Sequence, residues 1–226
     1  MALNRVHTID DRVRVRTALV SVWDKTGLDL LVAGLLASNP EIRILSTGGT
    51  HSAIERILET AAPERLQQIS DYTGQPEMQG GLVKTLDFKV YLGLLAETYN
   101  EAHSRDLERA GAVCIDLVAV NLYPFSNAIS QGDATPETAR ANIDIGGPSM
   151  VRAGAKNFHR VAVLVDPADY APTISELSTG KGTLSLATRW RLAQKAFAVT
   201  AAYDAAICGY LARLDLERVR ADYDVR

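Results

Sequence analysis

The residues best suited to chemistry in this sequence fall in one stretch, from Asn142 to Asn157. It carries one carboxylate, Asp144, then Gly146-Gly147-Pro148, then small residues leading to Lys156. Glycines permit backbone angles that a side chain forbids. Proline suits the first turn of a helix, where its missing N–H costs nothing. The stretch therefore reads as a tight turn opening a helix, with free N–H groups that can meet an anion. Asp144 comes just before the turn and Lys156 about two helical turns beyond it. A loop-to-helix joint with a surface ion pair fits the same pattern.

Ser46-Thr47-Gly48-Gly49-Thr50 is a second chemical stretch. Glycines let the backbone approach an anion, hydroxyls donate to it, and the following helix offers its positive end. The GxxxxGK[ST] pattern is absent, so nothing here points to a nucleoside triphosphate. A plain capping turn has the same composition. Lys25 brings a cation close by, and Lys84-Thr85 a second cation and a hydroxyl, although a lone lysine is most often solvated. Tyr123, followed by Pro124, can donate to a ligand or plug the core. His7, His51, His103 and His159 form no catalytic or metal-binding set, and no serine carries the nucleophile-elbow pattern.

These residues need strands to deliver them. Arg16 to Val22 reads as a buried strand, and Leu28 to Leu36 has helical spacing of apolar positions. Ile42 to Leu45 is a second strand, running into the Gly48-Gly49 turn and a helix from His51 to Leu58. Gln67 to Ser70 is a weak third strand, and Asp71 to Gly81 a long loop. One helix is expected from Leu92 to Ala110. Ile115 to Val120 is the clearest buried strand and carries Asn121 and Tyr123 at its end. Thr135-Pro136-Glu137 has the capping hydroxyl, the proline and the acid of a helix start. Arg160 to Val165 is a further strand, followed by a helix from Tyr170 to Leu177. Ser178 to Gly182 reads as a linker, and from Ser185 a helical pattern runs on with Trp190, Ala193, Phe197 and Tyr203 for its buried face. Strands alternating with helices imply an α/β fold with a parallel sheet. Ligands bind at the carboxyl ends of such strands, where all the candidate motifs fall. The implied division is an arm over 1–15, a core over 16–178 and a C-terminal helical extension over 183–226.

Composition narrows the class. The chain has 226 residues, 47% hydrophobic and 23% charged, with a net charge of −3. That balance is ordinary for a globular protein and gives no electrostatic footprint for nucleic acid. No apolar run reaches membrane-spanning length, and the first residues lack a signal-peptide core. The expected compartment is the cytoplasm. Cys114 and Cys208 lack metal-ligand spacing and read as buried free thiols.

Taken in order, these motifs resemble the IMP cyclohydrolase domain of the bifunctional purine-biosynthesis enzymes, where it is joined to an AICAR formyltransferase. The resemblance rests on Ser21-Val22-Trp23-Asp24-Lys25-Thr26-Gly27, Ser46 to Thr50, Ser70 to Met78, Val83 to Leu86, Asn121 to Phe125, Ile143 to Gly147 and Ala155-Lys156-Asn157. Lys195-Ala196-Phe197 and Thr200 to Asp204 also fit. The resemblance implies a methylglyoxal-synthase-like three-layer α/β/α sandwich with a parallel central sheet plus C-terminal helices. It implies ring closure of formyl-AICAR (FAICAR) to inosine monophosphate (IMP), with no cofactor and no metal, in a homodimer; whether AICAR formyltransferase is a separate partner protein or part of a longer chain is left open. Lys84, Tyr123, Asp144 and Lys156 are the implied catalytic set. Lys156 would be the principal acid/base and Asp144 would orient it. Lys84 and Tyr123 would stabilise the oxyanion and shuttle the proton, in either order. Lys25, Thr47, Gly48, Gly49, Thr50 and Thr85 would hold the 5′-phosphate, and Asn121 would sit beside the base. Asp24, Ile145 and Gly146 complete the implied substrate-binding set.

The sequence departs from the family pattern on the ligand side. Leu82 replaces an arginine, Asp87-Phe88 replaces His-Pro, Tyr91 replaces a second histidine and Trp23 replaces a serine. A leucine supplies none of an arginine's charge or donors. These changes leave open a related ribonucleotide as substrate, or a nucleotide-binding module without chemistry.

Overall fold

The computed structural model describes residues 5–75, 85–130 and 134–225. Strand β1 (Arg12–Arg14) precedes β2 (Thr17–Val20), which is buried along its whole length. Helix α1 (Leu28–Ser38) leads to β3 (Arg43–Ser46) and α2 (Gly48–Leu58). A short α3 (Ala62–Arg65) precedes β4 (Leu66–Gln68) and α4 (Ile69–Thr73). The single helix expected from Leu92 to Ala110 is two, α5 (Phe88–Leu95) and α6 (Glu101–Ala110). Tyr99, with φ of 61°, turns the chain between them, and Asn100 caps α6 through the His103 N–H.

Strand β5 (Leu117–Ala119) is followed by α7 (Phe125–Ser130) and α8 (Pro136–Ala141). Thr135 caps α8 with Pro136 in its first turn, as the sequence implied. Then come α9 (Gly146–Lys156), β6 (Ala162–Leu164), α10 (Tyr170–Thr179), β7 (Thr183–Ser185), α11 (Leu186–Leu211) and α12 (Leu216–Arg220).

Strands β4-β3-β2-β5-β6 form one sheet, in that order and parallel throughout. Successive side chains alternate between its faces. Ala18 and Val20 meet α1, α2 and α10, whereas Leu19 meets α4, α5, α9 and α11. Two apolar cores on one sheet make the three-layer α/β/α sandwich.

Segments on both flanks of the sheet are tied to it among the described residues. Strand β1 pairs antiparallel with β7, which ties residues 12–14 down where a loose arm was expected. The buried Arg189 guanidinium donates to Asp10, Asp11, Phe158, His159 and Leu184 carbonyls, locking that corner. Helix α11 packs on the same core through Ala193 and Ala196. Trp190 and Phe197, expected on its buried face, are 48% and 40% exposed. Cys208, expected buried, is exposed, and Cys114 is half-buried.

Candidate active site

The sheet reverses direction of growth at β2, which has β3 on one side and β5 on the other. In open parallel sheets this switch point leaves a crevice beyond the carboxyl ends of the strands. A cavity of about 440 Å³ lies there. Its walls come from Ser21, Val22, Trp23 and Lys25 after β2, Thr47 to Thr50 after β3, Asn121 and Tyr123 after β5, and the turn into α9. Thr85 closes one side.

One wall gathers groups that can donate to an anion. Thr47 is the extended N-cap residue of α2, and its carbonyl takes the Thr50 and His51 N–H groups. The Gly48 and Gly49 N–H groups come before any intrahelical acceptor. Gly48 has φ of 40°, and a Cβ on Gly49 would meet nothing within 4 Å. Among the described residues the Lys25 ammonium has long contacts, 3.5 Å to the Val22 carbonyl and 3.4 Å to that of Trp23. The Thr47 hydroxyl sits 2.7 Å from that of Ser21. Thr50 is committed elsewhere: its buried hydroxyl donates to the Val22 carbonyl at 2.9 Å and accepts the Val22 N–H at 3.1 Å.

Asn121, expected beside a base, lines the cavity and also clamps the loop after β2. Its Oδ1 accepts the Trp23 and Asp24 N–H groups at 2.6 and 2.9 Å, and its Nδ2 donates to the Asp24 carbonyl at 2.7 Å. Asp24 in turn accepts the Thr26 hydroxyl and N–H, which hold its carboxyl below the usual range. Both residues therefore shape the loop that carries Trp23. That indole is 53% exposed on the cavity wall and stands edge-on to Tyr123, with ring centroids 5.5 Å apart.

Across the cavity, Asp144 caps α9. Its Oδ1 accepts the Gly147 N–H at 2.9 Å, and its own N–H donates to Tyr203 Oη at 2.7 Å. Burial pushes its carboxyl above the usual range, against the pull of N–H groups of Gly147, Gly146 and Tyr123. The two glycines are required by space and not by backbone angle, since neither is among the glycines of positive φ. A Cβ on Gly146 would lie 2.6 Å from Thr85 Oγ1, and one on Gly147 would lie 2.3 Å from Asp144 Oδ2. Ile145 lines the mouth and is 56% exposed.

Lys156 is not brought to this cavity. It ends α9, whereas Asp144 stands before its start. Ten residues of helix rise roughly 15 Å, so the two cannot meet along one helix. The expected Asp144–Lys156 pairing is therefore replaced by a carboxyl held by backbone N–H groups, with Lys156 exposed at the far end. Lys84 and Leu82 lie outside the described residues.

Sequence reasoning missed the two tyrosines behind Asp144. Tyr203 comes from α11, far along the chain. Tyr91, noted only as a departure, comes from α5, and burial of its hydroxyl, with the Asp144 carboxylate adding to it, raises its pKa against a contact with Ser149. No local signal in the sequence marks either contact.

A family model described as an MGS-like domain matches residues 31–149, and one described as the AICARFT/IMPCHase bienzyme matches residues 154–225. The bifunctional purine biosynthesis protein PurH of Parvibaculum lavamentivorans is 50% identical over 202 residues, covering 89% of this chain and 36% of that protein. PurH of Acidithiobacillus ferrooxidans is 46% identical over 200 residues, covering 88% of this chain and 37% of that one. The chain thus spans a little over a third of the length of these relatives. Among solved structures, the crystal structure of ForH matches with a TM-score of 0.70 at 35% identity, over 86% of this chain and 97% of that one.

Proposed function

The chain belongs to the MGS-like domain family, in the branch of the AICARFT/IMPCHase bienzymes, and from that premise we propose that it closes the purine ring of FAICAR to give IMP. The carboxamide nitrogen attacks the formyl carbon. The formyl oxygen leaves as water, taking one proton from each of the two nitrogens now joined through that carbon. The observation that carries this reading is one cavity with an anion cradle on one wall and a half-buried carboxyl of raised pKa on the other.

The roles follow from what each group has left to give. Lys25, Thr47 and the Gly48 and Gly49 N–H groups take the 5′-phosphate. Asp144 moves the proton, since a raised carboxyl pKa makes it a better base at neutral pH than an ordinary aspartate. Tyr123 faces the cavity and donates to the formyl oxygen as it gains charge. Lys84 is the second proposed donor there, next in the chain to Thr85 on the cavity wall. Holding both reacting groups in one pocket supplies a further share of the rate. Lys156, at the far end of α9, is given no part in the chemistry of this cavity. The test is ultraviolet-monitored turnover of FAICAR, and absence of IMP under conditions where a PurH protein forms it would refute the reading.

Trp23 supports a second reading, ring closure on a related ribonucleotide. Its indole occupies part of the cavity wall where the family has a serine, and edge-on contact with Tyr123 narrows the space for a base. Under this reading Trp23→Ser raises kcat/KM for FAICAR. Under the first it lowers it or leaves it unchanged.

A further inference from the structure

We propose that Tyr203 is a positioning residue for Asp144, and that α11 is therefore a working part of the site. The inference deepens the ring-closing reading and rests on it only for its kinetic test. Asp144 stands on a short connection between α8 and α9. Its neighbours there are held locally: the Asn142 N–H reaches the Ala139 carbonyl and the Ile143 N–H the Arg140 carbonyl. The Asp144 N–H is not. Its acceptor is the phenol oxygen of a residue 59 positions away, at 2.7 Å. The carboxyl end of the same residue is tied to the Gly147 N–H. Asp144 is thus pinned at two points, one on the helix it caps and one on α11.

The phenol is itself held. Tyr203 is 9% exposed and packs edge-on against Phe125, with ring centroids 6.3 Å apart. Phe125 follows Tyr123-Pro124 directly, and Leu122 and Ile143 pack against the same small cluster. One aromatic group therefore underlies both the Tyr123 loop and the Asp144 turn. Removing the hydroxyl alone leaves that packing and frees the Asp144 backbone. A site displaced by an ångström loses rate before it loses binding.

Tyr203→Phe in the full chain tests the proposal, with Tyr210→Phe as the comparison. Tyr210 packs on the same Phe125 ring, at 6.0 Å, and has no bond to Asp144. The expected result for Tyr203→Phe is a kcat about ten- to a hundred-fold lower at nearly unchanged KM. Exchange of the Asp144 amide hydrogen should quicken about ten-fold or more, while amides of β2 and β5 keep their protection. Tyr210→Phe should move neither quantity. Unchanged Asp144 exchange in Tyr203→Phe overturns the proposal, as does a general loss of protection across the sheet. The exchange arm needs no substrate, so a chain inactive on FAICAR would refute the ring-closing reading while this contact is still judged.

Discussion

A buried carboxyl and a half-buried one sit at opposite ends of this sheet, and they are used in opposite ways. Asp116, at the amino end of β5, is 5% exposed. It accepts the Arg16 and Thr17 N–H groups at 2.9 and 3.1 Å and pairs with Arg160 at 2.9 Å. Arg160 spends its other donors on the Gly93, Leu94, Ala96 and Ile115 carbonyls. Asp144, beyond the carboxyl ends, is held by backbone N–H groups and has no cation paired to it among the described residues. Burial raises the pKa of both. A perturbed carboxyl alone therefore does not mark a site. What separates the two is whether the surrounding donors are already spent.

The largest effects should come from breaking each end in turn. Asp144→Asn keeps the shape and the cap but cannot take a proton. A general base contributes about 10²–10⁴-fold, so kcat should fall by that much, roughly 3–5 kcal/mol of barrier. Lys156→Ala should cost less than about ten-fold on the same scale. Steady-state kinetics on FAICAR decide this, and a Lys156 loss equal to that of Asp144 would reverse the assignment.

At the other end the same kind of change should strike stability instead. Arg160→Met leaves Asp116 buried and unpaired, which costs about 3–5 kcal/mol. Urea unfolding should show that loss, with kcat per folded molecule unchanged. Adding Asp116→Asn removes the stranded charge and should restore part of the stability. A single variant within about 1 kcal/mol of wild type would mean that the amino-end pair is not the structural clamp described.

Two glycines sharpen the contrast within the cavity. Gly147→Ala forces a methyl group against Asp144 Oδ2 and Leu122 Cδ2, at 2.3 and 3.0 Å. Overpacking of this kind costs about 1–3 kcal/mol, and here it also displaces the carboxyl, so both melting temperature and kcat should fall. Gly49→Ala meets open space. It should leave the melting temperature alone and raise KM by narrowing the approach to the cradle. Equal behaviour of the two variants would remove the distinction between packed and ligand-facing glycines.

The sheet was legible because each central strand is a short, nearly continuous apolar run, as doubly covered parallel strands are. The Gly48-Gly49 cradle was legible because its chemistry is local in sequence. Asp144 was found for the right region and the wrong partner. Counting turns between Asp144 and Lys156 ignored that a residue before a helix and one at its end are separated by its full length. Asn121 and Thr50 were read as ligand contacts; in the fold both line the cavity, and their amide and hydroxyl also hold the loop after β2, which nothing local in the sequence announces. The Arg160–Asp116 pair and the Tyr203 contact were invisible because their partners are distant in sequence and nothing local requires them.

The smallest effect asks whether Asp144 carries the strain of a site or the fit of a scaffold. Its carboxyl is raised in the folded chain, chiefly by burial. The folded state therefore binds its proton more tightly than the unfolded one does. The stability this contributes is fully present below the unfolded pKa, near 3.9, and is lost as pH rises through the folded value. Above that value wild type carries a desolvated charge that Asp144→Asn lacks, while the amide oxygen can still accept the Gly147 N–H. Asp144→Asn should therefore melt higher than wild type at neutral pH, with the gap closing as the pH falls through the folded pKa. Thermal melts across that range measure it. A variant less stable than wild type at neutral pH would make Asp144 a structural cap, held for its hydrogen bonds as Asp116 is.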